Sequence, residues 1–380
     1  MSIPGWKIFK ISQCVLWILM MNVITVNPVQ AQTEYEEELL ESMGEKESLE
    51  LLEELQELRE NPVNINQAGI KELGKIPFLT QLFIQRIIKE REKKGFFSSW
   101  HDFKERLQIP EEIWNRIHPY LDIKGKRFEN LSLQVRSRFQ RNYSNRIHYQ
   151  DLYPGSVWKM YQRIRISQKD VFNCALLIEK DPGETDPADH VVGFIKFENI
   201  YHTMQLLLGT YYIKAGQGIV LWSPYGFSKG VYPVSTMKKR SSDIRGYKST
   251  DENNFLSGAA VAFHHPTFHL LLFGSGTGLD ASLNMDGTIK SFPVSGYHRT
   301  AYEKETKETV TEYLWGLRAE IKIKYGRWGV TSLFPEYSRP VQRDLNNKNL
   351  FSFRGSRNYL YSLDFDLYCN RFNLFGEIAV

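Results

Sequence analysis

From Leu131 onward, apolar and polar residues alternate along the chain. Leu131, Leu133 and Val135 interleave with Ser132, Gln134 and Arg136. Successive side chains of a strand point to opposite faces, so a period of two predicts a strand with one apolar and one polar face. Ten further segments follow at 157–168, 171–180, 191–199, 204–215, 256–264, 267–275, 313–324, 327–335, 358–368 and 371–379. Turn residues join several of them closely: Gln168-Lys169-Asp170, His265-Pro266, Tyr325-Gly326 and Cys369-Asn370. Other connections are long, at 181–190, 224–255 and 276–312. Strands of about ten residues, with short turns at one end and long loops at the other, predict an antiparallel barrel of the transmembrane type. Tyr211-Tyr212, Trp222, Tyr225, Trp315 and Trp328 supply candidates for its aromatic girdles.

Upstream, the apolar spacing is helical. Asn66 is placed to cap a helix through Lys75, and Ile76-Pro77-Phe78-Leu79-Thr80 turns the chain. Gln81 to Lys94 forms a second helix stopped by Gly95, and Ser99-Trp100-His101-Asp102 caps a third in capping-box style. A turn around Leu107-Gln108-Ile109-Pro110 leads into a fourth helix, from Glu111 to about Tyr120. Ile70, Leu73, Phe78, Leu82, Ile84, Ile87, Ile88, Phe97, Phe103, Ile109, Trp114 and Ile117 are spaced to form one small core.

The first residues describe an export signal. Lys7 and Lys10 precede an apolar run from Ile11 to about Val26, and Val29-Gln30-Ala31 supplies small residues for cleavage after Ala31. The run is shorter than the roughly 20 apolar residues of a spanning helix. Cys14 falls within it, which leaves Cys174 and Cys369 for the mature chain, too few for a disulfide scaffold.

A net charge of +4 over 380 residues argues for no particular partner, but its distribution is uneven. From Glu34 to Glu60 there are twelve Glu against Lys46 and Arg59, interleaved with leucines in helical spacing. Residues 64–127 carry thirteen Lys and Arg against eight Asp and Glu. Neighbouring segments of opposite charge are expected to dock on each other, or the second to meet an anion. The divisions predicted are a signal peptide (1–31), an acidic helical segment (32–62), a helical domain (63–127) and an incomplete barrel (128–380).

The helical region resembles the tandem helix-hairpin-helix domain of competence-type DNA-uptake receptors. The likeness rests on Val63-Asn64-Ile65-Asn66, Ala68, Leu73, Pro77, Arg91, Gly95, Phe97, Ser99 and Asp102. It implies contact with double-stranded DNA, in which hairpin glycines let backbone N–H groups approach a phosphate. Here the glycine positions hold Phe78 and Thr80 in the first hairpin and Gln108 and Pro110 in the second, around Leu79 and Ile109. Side chains there block close approach, and Pro110 also lacks an N–H. The basic residues left for DNA are Arg86, Lys89, Arg91, Lys93, Lys94 and Lys104.

The second half resembles outer-membrane proteins of Bacteroidetes-like bacteria that fuse a periplasmic helix-hairpin-helix domain to a barrel. Gly216-Gln217-Gly218, Arg245-Gly246-Tyr247 and Ser249-Thr250-Asp251-Glu252 carry that likeness. It implies a location in the outer membrane, with lipid and a periplasmic protein as partners. Members run longer, so the end in mid-strand at Val380 reads as a truncation. Lys238-Lys239-Arg240 and Lys248 form a second basic cluster, which folded inward would line or plug a pore.

Catalysis finds little support. His264, His265 and His269 are separated by the Pro266 turn and select no metal site. Gly274-Ser275-Gly276-Thr277-Gly278 lies between no strand and helix, as a phosphate loop requires, and reads as a bend. Ser249, Asp251 and Glu252 would need a histidine base, and no spacing selects among His202, His264 and His298. The expectation is a non-enzymatic α+β protein with neither metal nor cofactor.

Overall fold

The computed structural model describes residues 55, 58–59, 62–76, 79, 81–123, 131–141, 152–168, 170–221, 238–239, 243–343, 350, 352–369 and 372–380. The expected signal peptide, most of the acidic segment, and Pro77, Phe78, Thr80, Trp222, Tyr225 and Arg240 lie outside these residues.

Strand β1 (Val63–Asn64) opens the helical module and pairs in parallel with β2 (Leu121–Asp122), so the module begins and ends at one place. Between them run α1 (Ile70–Leu73), α2 (Gln81–Lys94), α3 (Trp100–Leu107) and α4 (Glu111–Ile117). Gly95, at φ +77, ends α2 as a left-handed stop. Ser99 caps α3 by accepting from the Asp102 N–H at 3.1 Å, while the Asp102 carboxylate accepts from the Ser98 N–H at 2.9 Å.

Asn66 corrects the first helix. Rather than capping it, its amide side chain accepts from the Phe97 N–H at 2.8 Å and donates to the Phe97 carbonyl at 3.0 Å. It joins the two hairpins, and α1 starts three residues later than expected, with the Gly69 N–H donating to Glu72. The last helix is also shorter, giving way at His118–Tyr120 to a 3-10 turn around Pro119.

The module core contains Leu73, Ile84, Ile87, Phe97, Phe103, Ile109 and Ile117, as the helical spacing predicts, with Ile88 and Trp114 at its margin. It also contains Leu55, from the acidic stretch, and Ile65, Ile76, Leu79 and Leu107. The acidic segment therefore touches the module through a leucine.

The rest is one large antiparallel sheet. Its long strands are β3 (Ser132–Arg141), β4 (Trp158–Gln168), β5 (Phe172–Lys180), β6 (His190–Ile200), β7 (Met204–Lys214), β9 (Leu256–His264), β10 (Phe268–Leu279), β13 (Val310–Ile323), β14 (Gly326–Val341), β16 (Leu360–Cys369) and β17 (Phe372–Ala379). They lie in the order β17-β16-β14-β13-β10-β9-β7-β6-β5-β4-β3. These are the eleven alternating segments, several extended by a few residues. Short pieces complete the set: β8 (Asp243–Gly246), β11 (Ser282–Leu283), β12 (Ile289–Ser291), β15 (Gly355–Arg357) and helix α5 (Ala301–Thr306). The long loop expected at 276–312 thus carries β11, β12 and α5, the last held by a capping box between Thr300 and Glu303.

Among the described residues the sheet does not close, since β3 and β17 are not paired with each other. The described residues thus show a large antiparallel sheet and not a closed barrel. No described helix is long and apolar enough to cross a membrane, which does not bear on strands.

The exposed side of the sheet is largely apolar, while the buried side mixes an apolar cluster that includes Leu207, Tyr211, Leu271, Phe273, Leu314 and Leu333 with charged and polar side chains. On β13 the exposed side carries Tyr313, Trp315, Leu317, Ile321 and Ile323, and the buried side carries Arg318 and Glu320. Trp315 and Ile321 are 64% and 60% exposed, whereas Arg318 and Glu320 are 2% exposed. Buried Arg163, Arg165, Thr210, His269, Ser275, Thr331, Asp364 and Asp366 continue the polar face onto other strands.

Candidate functional sites

In the module, local structure uses several of the basic residues assigned to nucleic acid. Arg91 Nη1 donates to the Ile65 and Ala68 carbonyls at 3.0 and 2.9 Å. Arg86 donates to the Leu107 carbonyl at 2.9 Å, Lys104 pairs with Glu111 at 2.6 Å, and Lys94 pairs with Glu90 at 3.3 Å. Lys89 and Lys93 are exposed on α2.

The second hairpin keeps the backbone of a glycine without the glycine. Gln108 sits at φ +49, in the left-handed region, where its N–H donates to the Glu105 carbonyl at 3.3 Å. The Ile109 N–H donates to the Lys104 carbonyl at 3.2 Å, and Pro110 has none. These two N–H groups close the end of α3 and do not face an incoming phosphate. In the first hairpin, Leu79 is buried and its N–H donates to the Ile76 carbonyl.

On the sheet, Gly216-Gln217-Gly218 follows β7 and wraps a carboxylate. Glu377 Oε2, on β17, accepts from the Gln217 N–H at 2.7 Å and the Ile219 N–H at 3.0 Å. Backbone N–H groups two residues apart converge on one oxygen, while the Gly218 N–H between them donates to the Ala215 carbonyl, so this small anion-binding concavity is filled from within the chain. Gly216, at φ +58, is required there: a Cβ would stand 2.7 Å from the same carboxylate.

The basic cluster beside it also folds onto the polar face. Lys238 Nζ lies 2.7 Å from Asp366 Oδ1 and 2.8 Å from the Tyr368 hydroxyl, both on β16. The Lys239 N–H donates to the Gln217 side chain at 3.1 Å. Arg245 stands on β8 opposite Tyr212. Tyr211 pairs with Leu256 of β9 and with Gly246 of β8, so β8 occupies the edge of β7 that β6 has left.

The buried face beneath is held by ion pairs. Arg318 donates to both Asp364 oxygens at 2.6 and 3.1 Å and to Thr331 at 2.9 Å. Arg327 reaches Glu320 at 2.5 Å.

Lys75, between α1 and α2, belongs to this polar region. It is open to solvent yet walled by protein, and that surrounding, with Arg245 and Lys196, lowers its pKa against the opposing pull of Glu198.

Among the described residues, no hydrogen bond joins the Ser249 hydroxyl to His202, His264 or His298. His264 stacks on His269 across the β9–β10 turn, with ring centroids 4.6 Å apart, and His265 turns away to Thr267. The Ser249 hydroxyl accepts from the Asp251 N–H, while its carbonyl meets His190. The glycine-rich run 274–278 is no bend: it lies in regular β10, where a Cβ on Gly274 would strike the Trp315 ring. The pairing of Glu252 with His298, 3.7 Å apart, could not be selected from spacing, because two loops bring them together.

Residues 59–122 match the helix-hairpin-helix motif family. No curated protein and no solved structure matches the chain. The protein is thus a small helix-hairpin-helix region followed by a large antiparallel β-sheet.

Proposed function

We propose that this is a non-enzymatic outer-membrane protein of the β-barrel type, with its helical module on the periplasmic side as an interaction module. The observation that carries this reading is β13, whose exposed face is aromatic and aliphatic while its buried face holds Arg318 and Glu320. An apolar belt around charged pairs suits a sheet whose outer solvent is lipid. Ser132, the first residue of β3, pairs with Ser167 at the short-turn end of the sheet. The module enters from that end, and short turns face the periplasm in bacterial barrels. Fractionation of cells expressing the full chain is the test. Recovery in the outer membrane, released only by detergent, is expected; recovery in the soluble or inner-membrane fraction would refute it.

A second reading, binding of duplex DNA by the module, is favoured by the family match over 59–122. Polarisation of a labelled duplex titrated with the detergent-solubilised protein tests it. Binding that weakens steeply with salt and on replacing Lys89 and Lys93 supports it; no binding at low salt removes it.

A further inference from the structure

Three of the long connections meet at His298, whose ring is almost wholly buried. Its Nδ1 lies 2.5 Å from Asp189 Oδ2 and its Nε2 lies 2.9 Å from Asp280 Oδ2. Its backbone N–H donates at 3.2 Å to Glu184, a carboxylate only 1% exposed. Glu252, from a third loop, brings Oε2 to 3.7 Å from Nδ1, and no hydrogen bond from a described residue reaches it. Two residues before His298, Gly296 sits at φ +65, where a Cβ would crowd the Glu252 side chain at 3.3 Å. The left-handed glycine lets that carboxylate approach.

Charge is out of balance in this cluster. Four carboxylates face three cations: His298, Lys307, whose Nζ is 2.8 Å from Asp189, and Lys180, buried near Glu184 and Asp189. Burying like charges together is costly unless a further cation joins them.

We propose that Glu184, Asp189, Glu252 and Nδ1 of His298 bind a divalent transition ion of the Mn²⁺ to Zn²⁺ class. The donor atoms of Glu184, Asp189 and His298 lie within 4.8 Å of one another. Donors at about 2.0–2.2 Å from one ion stand roughly 3 Å or more apart, so Nδ1 and Asp189 Oδ2 separate as the proton leaves while the wider pairs close slightly. One imidazole nitrogen among carboxylates suits such ions, whereas Ca²⁺ and Mg²⁺ take oxygen donors. Asp280 on Nε2 supplies the carboxylate that commonly fixes the ring of a ligating histidine. On binding, the ion replaces the Nδ1 proton, which leaves to solvent. The site would tie together the loops carrying residues 184–189, 252 and 280–298. It stands whether or not the sheet lies in a membrane.

The full-length protein, folded in detergent and stripped with EDTA, is titrated calorimetrically with ZnCl₂, MnCl₂ and CaCl₂, with thermal unfolding measured alongside. One equivalent of Zn²⁺ or Mn²⁺ is expected to bind and to raise Tm by about 5 °C at saturation. Asp189→Asn and Glu252→Gln are each expected to weaken binding at least tenfold, and Asp280→Asn by about 10–100-fold. Glu252→Gln is the decisive variant, because its carboxylate carries no hydrogen bond whose loss would unfold the loop. Absence of saturable binding to a cooperatively melting protein overturns the site, as does undiminished binding by Glu252→Gln. A larger response to Ca²⁺ than to Zn²⁺ and Mn²⁺ overturns the class of ion.

Discussion

Glu377 on β17 accepts from the backbone N–H of Gln217 at 2.7 Å, across 160 residues of chain. The contact joins the turn after β7 to a strand six places away along the sheet, so the sheet curls. Glu377→Gln keeps one acceptor oxygen but loses the charge, and charge-assisted bonds are about twice as strong as neutral ones. Faster amide exchange at Gln217 and Ile219, with the sheet amides unchanged, is the expected outcome. Gly216→Ala is expected to be worse, costing about 1–2 kcal/mol for the left-handed backbone, before any clash with the carboxylate.

Arg318 and Asp364 form a fully buried bidentate pair. Removing Arg318 leaves Asp364 buried without its partner, and removing Asp364 leaves Arg318 with only the longer 3.4 Å ionic contact to Glu320; breaking such a pair costs about 3–5 kcal/mol. Arg318→Met and Asp364→Leu are each expected to lower the denaturant midpoint by that measure. The double variant is expected to lose less than the sum, since it strands no charge.

Leu317 tests the opposite face, one residue away. In a membrane-embedded sheet Leu317→Arg is expected to cost about 2–4 kcal/mol if it lies near the bilayer midplane, read from folding equilibria in lipid vesicles. A neutral result in vesicles would count against the lipid-facing belt.

Within the module, Ser99→Ala removes the α3 cap and is expected to cost about 1 kcal/mol. Asp102 adds a pH dependence: the Ser98 N–H, and then Arg106 at 2.6 Å, hold its carboxyl below the usual range. A folded pKa below the unfolded one means that this stabilisation is present above the ordinary carboxylate pKa and is lost as pH falls through the folded one. Amide exchange in α3 is therefore expected to be slower in the wild type than in Asp102→Asn near neutral pH, and to converge in strong acid.

Arg91 and Lys93 separate folding from binding. Arg91→Ala removes the donor to the Ile65 and Ala68 carbonyls and is expected to loosen the whole first hairpin, seen as proteolysis near residue 70. Lys93→Ala is expected to leave the module's protection unchanged, so any effect of it on a duplex reports contact rather than unfolding.

What the sequence by itself determined is the set of elements. All eleven long strands were legible, because a face-to-face difference in polarity repeats every two residues and does not depend on the partner strand. Helix α2 was legible to the residue, since Gly95 marks its end with a backbone that other residues resist. Asn66 was misjudged because a cap and a cross-hairpin bridge use the same amide, and only the position of Phe97 distinguishes them.

The tertiary structure decided which polar groups meet. Arg318 and Asp364 are 46 residues apart, and Asp189 and His298 are 109 apart, on loops whose lengths predict no contact. Strand order brings them together, and strand order follows from pairing across the whole sheet rather than from any local pattern. Periodicity can report that a side chain faces inward. Which charge waits for it there is set by the curl of the sheet and by the loops that cross it.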